Sequence, residues 1–160
     1  MVNTNNLQQK TGCLAPDTMV TMGDGSIRRI ADIRMGDIIM SGDFIFSRVM
    51  NIWRGSEQDN MVRIFVGSIR TDLLATKDHP IWVQEPDGTT KWKRAGDCKV
   101  LDKVFTESGE YVPITKIIEE KPSDKVCNLE LILYHGNKEY EGMMYCNNIR
   151  VGDFRIQNSI

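Results

Sequence analysis

Gly12-Cys13-Leu14-Ala15-Pro16-Asp17-Thr18, read together with Thr76-Lys77-Asp78-His79 behind the apolar pair Leu73-Leu74, decides how the rest of this chain is understood. A thiol directly after glycine can attack its own upstream peptide bond. The sulfur of Cys13 reaches the carbonyl of Gly12 through a five-membered ring, so the effective molarity is built into the covalent structure. Glycine on the acyl side offers no side chain against the sulfur and lets the peptide twist. A free thiol has a pKa of about 8.5, leaving a small thiolate fraction at neutral pH that a nearby base would enlarge. Thr76 and His79, three residues apart, suit the remaining tasks: Thr76 as donor to a developing oxyanion, His79 as proton source for the departing amide nitrogen. The product would be a thioester. Taken singly, each piece has a plainer reading, Cys13 as a small buried hydrophobe and His79 before Pro80 as a strand-end histidine bonded to backbone. Their combination favours chemistry.

The chain repeats itself at an offset of 65 residues. Ile30-Ala31-Asp32-x4-Asp37 recurs as Ala95-Gly96-Asp97-x4-Asp102, Ile39-Met40-Ser41 as Val104-Phe105-Thr106, and Ile64-Phe65-Val66 as Leu129-Glu130-Leu131. Val20-x3-Asp24-Gly25 returns as Val83-x3-Asp87-Gly88, two residues out of phase. Two similar halves imply a pseudo-twofold domain, with Asp-Gly pairs as hairpin turns. Runs such as Met19-Val20-Thr21, Ile38-Ile39-Met40, Val62 to Val66 and Asn128 to Ile132 have strand length and composition between Gly, Asp, Asn and Pro punctuation. The expected class is all-β. A helical turn is predicted only at Ser26 to Ile33, from Ile27, Ile30 and Ala31, and at Lys93 to Cys98.

Cys13 to Ser41, CLAPDTMVTMGDGSIRRIADIRMGDIIMS, resembles the opening block of the Hint family of inteins, hedgehog autoprocessing domains and bacterial intein-like domains. LLATKDHPIWV, Leu73 to Val83, is similar to that family's T-x-x-H block; VCNLEL, Val126 to Leu131, and MMYCNNIRVGD, Met143 to Asp153, are similar to its closing blocks. The resemblance covers about residues 12 to 153. It implies a Hint fold, a horseshoe-like pseudo-twofold β domain, with Cys13 as nucleophile, Gly12 as the scissile acyl side, and Thr76 and His79 as activators. Asp78, Cys146 and Asp153 are further candidates in the same blocks. Cys146 reads either as a packed core thiol or as a modulator of the site and redox partner of Cys13. Departures from the family are equally visible. After Val151 a splicing intein shows His-Asn and then Ser, Thr or Cys, whereas this chain has Gly152-Asp153-Phe154. Aspartate lacks the amide nitrogen that closes a succinimide, and Phe154 offers no nucleophile. Gly142 stands where the family often has another histidine, Asn128 where many inteins carry aspartate, and Asn148 where glycine is usual, tolerated because Asn accepts a left-handed conformation.

The resulting expectation is a self-acting domain at residues 13–153, with a flanking segment at 1–12 and a C-terminal flank or domain end at 154–160. It performs an N-S acyl shift at Gly12-Cys13, and water or an external thiol or amine releases the acyl group. Its substrate is its own flanking polypeptide, and it needs no metal or organic cofactor. Two alternatives remain: splicing with a junction at Asn158-Ser159, Gln157 replacing the helper histidine, and a catalytically inert Hint-fold binding module. A cysteine hydrolase acting in trans is weaker, because an N-terminal arm precedes Cys13 and no second His-Asn or His-Asp pair is visible.

Composition bounds the rest. The 160 residues suit one domain with a real core, and a net charge of −2 implies no broad basic face for nucleic acid. Arg28-Arg29 and Lys91-Trp92-Lys93-Arg94 read as solvated surface. No stretch approaches a transmembrane length, and Met1 to Thr11 is polar without a signal-peptide apolar segment. The chain is expected to be soluble, monomeric, and cytoplasmic or part of a larger bacterial protein. Cys13, Cys98, Cys127 and Cys146 form no C-x-x-C pair, which argues against a zinc ribbon or a disulfide framework. A metal site from distant cysteines with His79 and His135 is the residual possibility.

Overall fold

Short runs rich in Val, Ile and aromatic residues, broken by Gly, Asn and Asp, produce strand after strand. The computed structural model describes residues 12–67, 71–122 and 125–160. Among them the first half forms β1 (Met19–Thr21), β2 (Ile27–Arg29), β3 (Ile38–Gly42), β4 (Ile45–Gly55), β5 (Met61–Val66) and β6 (Thr71–Ala75). The second half forms β7 (Pro80–Gln84), β8 (Thr90–Arg94), β9 (Lys103–Phe105), β10 (Tyr111–Glu120), β11 (Val126–His135), β12 (Met143–Cys146) and β13 (Ile149–Gly152). A ten-stranded sheet runs β2-β1-β12-β13-β7-β9-β10-β5-β6 with β8 on β7, and a three-stranded sheet runs β11-β4-β3. The all-β expectation holds, and no helix among the described residues is long and apolar enough to cross a membrane.

The repeat is a real internal symmetry. The two halves exchange their long strands, β4 pairing with β11 and β10 with β5, and the two ladders are copies of each other. Val49↔Leu131, Asn51↔Glu130 and Ile52↔Leu129 in one become Ile114↔Val66, Lys116↔Phe65 and Ile117↔Ile64 in the other. Even the bulge repeats, at Met50 and at Thr115. From Phe46 to Gly55 and from Tyr111 to Glu120 the order of buried and exposed residues is the same. The shared inner face carries Val49, Ile64, Ile114, Leu129 and Leu131, all essentially without solvent contact. The turns repeat too: Gly25 and Gly88, at φ +87° and +91°, close hairpins in which Asp24 and Asp87 accept from the amides of Ser26 and Thr89.

Each predicted helical turn is present but shorter than its window. Ile27 to Arg29 is strand, held to β1 by the Asp24-Gly25 hairpin, and only a 3-10 turn at Ile30–Asp32 remains; its copy is Ala95–Asp97. Strand pairing across a tight turn outweighs apolar spacing in so short a stretch. One α-helical turn, α1 (Phe154–Gln157), is absent from the sequence reading. It is folded onto the domain: Phe154 lies 5.0 Å from the Trp53 ring, and Arg155 donates to the Leu131 carbonyl. Asn147 and Asn148, at φ 48° and 67°, form the two-residue turn from β12 to β13, and the second fulfils the left-handed role expected of it.

At one point the two halves differ in a costly way. Gly36, at φ +90°, is answered sixty-five positions later by Leu101 at φ +83°, 65% exposed. A left-handed leucine costs roughly 1–2 kcal/mol, against about 0.5–1 kcal/mol of backbone freedom lost by a glycine. Leu101→Gly is therefore expected to raise stability by about 1 kcal/mol in urea unfolding, and Leu101→Ala to give no such gain.

Candidate functional site

The segment Cys13–Ala15 is a crossbar between the two halves. Leu14 exchanges both backbone hydrogen bonds with Cys127 at the start of β11 (2.8 and 2.9 Å), it bridges Ala75 at the end of β6, and Ala15 donates to the Leu74 carbonyl. Leu14 is fully buried, so the main-chain grip is backed by an apolar anchor. The Thr76-x-x-His79 turn closes with the His79 amide on the Thr76 carbonyl (3.1 Å), and the Thr76 amide returns to the Cys13 carbonyl (2.9 Å).

Around the Gly12-Cys13 bond the contacts are specific. The Cys13 amide donates to Thr76 Oγ1 at 2.8 Å, so Thr76 meets the amide on its nitrogen side, and the donor facing the Gly12 carbonyl oxygen is instead the side-chain nitrogen of Asn128. Gly12 packs on the backbone of the following turn, where a Cβ would come within 2.6 to 2.8 Å of His79 Cα, His79 N and the Asp78 carbonyl carbon. Any larger residue must displace main chain, which is a second reason for glycine here.

The electrostatics keep the site uncharged. Burial, then neighbouring Cys127 and Glu57, push the Cys13 thiol up to about 12. Burial holds His79 down to about 4, an effect partly offset by the backbone of Gly12 and Gly152 against its ring; neither ring nitrogen has a hydrogen-bond partner of good geometry. An unpartnered buried imidazole is uncommon and is characteristic of sites where a proton moves.

Four of the predicted residues, Gly12, Cys13, Thr76 and His79, thus meet at one peptide bond. Asp78 contributes only backbone, since its side chain is exposed. Cys146 does not join them: it sits on β12 opposite Val20 and Ile149, fully buried in the main core, while Cys13 belongs to a small cluster with Met61, Val126 and Leu74. The thiol sharing the surroundings of Cys13 is that of Cys127. Asp153 approaches through its neighbour Gly152 at the His79 ring. Its carboxylate accepts from the amides of Leu131 (2.8 Å), Arg155 (3.0 Å) and Ile156 (3.1 Å), so it is the N-cap of α1. Gly142, at φ +90°, is small for a reason, because a Cβ there would lie 2.9 Å from Asp153 Oδ1. Burial lifts Asp153 to about 6 despite these donors. Asn158 is exposed at the end of α1, and the Ser159 hydroxyl turns back to the Ile156 carbonyl. Asn128 was visible in the sequence only as a departure from the family pattern, with no contact to suggest its partner.

No family model matches the sequence. A stretch of 70 residues, 44% of this chain, is 26% identical to an uncharacterised protein of Methanocaldococcus jannaschii and spans only 9% of that protein. Among solved structures the gp41-1 intein is similar over 88% of this chain and 98% of its own, with a TM-score of 0.68 and 19% identity. A bacterial intein-like domain from Clostridium thermocellum is similar over 88% and 97%, with a TM-score of 0.70 and 19% identity. A DnaB intein from Synechocystis sp. PCC 6803 is similar over 89% and 99%, with a TM-score of 0.68 and 15% identity. The chain has the Hint fold.

The buried histidine has a measurable consequence. Its folded value lies below its ordinary value near 6.5, so the unfolded chain binds the extra proton between pH 6.5 and about 4. Stability from this group is present above pH 6.5 and is lost on acidification through that window, by about 3 kcal/mol. Asp153, raised above its ordinary value, acts with the opposite sign up to about pH 6. The unfolding free energy of His79→Gln minus that of the parent should therefore rise by about 3 kcal/mol from pH 7 to pH 4. A flat difference would mean that His79 is not held neutral.

Proposed function

We propose that this chain is an autoprocessing domain that cleaves its own Gly12-Cys13 bond by an N-S acyl shift. The observation that carries the reading is the convergence of Cys13, Thr76 and His79 on one buried peptide bond whose acyl residue is glycine. The fold similarity to inteins and to an intein-like domain supports it.

The thiol sulfur bonds to the Gly12 carbonyl carbon, the carbon–nitrogen bond to Cys13 breaks, and the thiol proton ends on the freed Cys13 nitrogen. Thr76 Oγ1 fixes that nitrogen by its N–H, keeping the leaving group in line while the carbonyl carbon changes geometry. His79 is neutral at pH 7, so it passes on only a proton it has first received; it relays the thiol proton to the amine. The thioester of residues 1–12 is then taken by water or by an external thiol or amine, and the domain is left beginning at Cys13.

N-terminal cleavage is favoured over splicing by the state of the C-terminal end. Asp153 has both carboxylate oxygens engaged by amides and is followed by a helical turn packed on the domain, an arrangement unlike a residue poised to cyclise. A second reading, a silent Hint-fold module, is favoured by the buried thiol at about 12.

Intact-mass measurement of the purified chain with millimolar dithiothreitol decides between them. Loss of residues 1–12 is expected from the parent and full-length mass from Cys13→Ala; a parent that stays full length would leave the silent module. Because the thiol proton passes through His79 to the leaving nitrogen and none is lost to solvent, release by excess hydroxylamine, which is uncharged throughout the range, should change by less than about twofold between pH 7 and 9. A rate that rises about tenfold per pH unit there would mean that the Cys13 thiolate forms first and that His79 does not carry its proton.

A further inference from the structure

We infer that Asn128 is a catalytic residue, an oxyanion donor whose carboxamide replaces one rung of the β ladder and relays a backbone N–H to the scissile carbonyl. The inference rests on the autoprocessing reading and adds a residue to it. Leu14 and Cys127 form a hydrogen-bonded antiparallel pair, exchanging both N–H···O=C bonds. In such a ladder the next pair to exchange bonds lies two residues on, which here is Gly12 with Leu129. That rung is missing. The Leu129 amide instead donates to Asn128 Oδ1 at 2.7 Å, and Asn128 Nδ2 donates to the Gly12 carbonyl oxygen.

Three consequences follow from this insertion. The scissile peptide is held off β11 and pressed against the Asp78–His79 backbone, where the glycine is required. The orientation of the carboxamide is determined, because the Leu129 N–H needs an oxygen and the Gly12 carbonyl needs a donor. The donor is fully buried with its carboxamide tied to Leu129, so it is already in place when negative charge develops on the Gly12 oxygen. A carboxylate at this position could accept from Leu129 but would repel the oxyanion. The symmetry-related position, sixty-five residues earlier, is Arg63, which is ion-paired to Asp72 and Glu120, so the carboxamide is not a feature of the repeat.

Two measurements test the assignment. In the uncleavable Cys13→Ala protein, residues 12 and 13 form the only Gly-Ala step of the sequence. Labelling with carbonyl-13C glycine and 15N alanine therefore isolates a single carbonyl resonance by NMR. Adding Asn128→Ala should move that resonance upfield, as expected for a carbonyl that loses its donor, with the fold's amide spectrum otherwise kept. In the Cys13 protein, Asn128→Ala should slow thiol-dependent release by about 100-fold or more. Asn128→Asp should be at least as slow at pH 8, and its deficit relative to the parent should shrink toward pH 5 as the carboxyl regains a proton it can donate. An unmoved resonance with an active parent overturns the inference alone, as does a moved resonance with an unchanged release rate. A moved resonance with a parent inert to thiol overturns the autoprocessing reading, and the catalytic role with it.

Discussion

Everything at this site depends on the double hold on Leu14. Its main chain is bonded to β11 and lies opposite β6, so an edge of each sheet is tied to the other across a single residue. Because β6 leads directly into Thr76 and His79, and β11 carries Asn128, the same hold fixes the distance of these three residues from the bond at Cys13. Rigid strands rather than loops thus set the geometry, which is what a tethered reaction needs to profit from proximity. Leu14 supplies the anchor because it is apolar and fully buried; a polar side chain there would have no partner on either sheet.

The site works with uncharged groups. A thiol near 12 and an imidazole near 4 both exclude charge at neutral pH, and the reason in each case is burial. The means such a site has for the proposed acyl shift are orientation, one donor that already points at the carbonyl oxygen, and a histidine whose ring nitrogens make no hydrogen bond of good geometry. The nucleophile is consequently poor at rest. Under the proposed reaction the bond must survive folding before it is broken, and a poor nucleophile fits that, since the contacts that hold Gly12 exist only once β6, β11 and the Thr76 turn are assembled.

The parts legible in the sequence were those written in local chemistry. Gly12-Cys13 and the Thr76-x-x-His79 spacing identify groups whose separation along the chain is short, and the offset of 65 marks duplicated turns through Asp-Gly pairs that admit few conformations. The ladder exchange between β4–β11 and β10–β5 was not legible, because strand partners are chosen by faces and not by neighbours in sequence. Ser26 to Ile33 misled in its first half because Ile27, Ile30 and Ala31 suit either period until a hairpin decides. Cys146 misled for a different reason: a thiol in a closing block says nothing about which face of β12 it occupies, and the structure turns it into the core. Asn128 acquires meaning only from what lies across the missing rung.

Asn128 and Asp153 express one chemical distinction in opposite directions. The sequence resemblance places Asn128 where many inteins carry aspartate and Asp153 where a splicing intein carries asparagine. A carboxamide both donates and accepts, and position 128 uses both functions, one toward Gly12 and one toward Leu129. A carboxylate only accepts, through two oxygens, and position 153 uses both of those: one for Leu131, the other for Arg155 and Ile156. A carboxamide at 153 would present an N–H group to one of these amides and leave it without an acceptor. Leu131 on β11 and the helical turn after Asp153 together require an acceptor on both sides, and a residue that meets this need has no side-chain nitrogen with which to attack its own carbonyl. His79 lies between the two ends, its ring against Gly12 and Gly152 alike. Of those ends, Gly12 is the one with Asn128 donating to its carbonyl oxygen and a cysteine as the next residue.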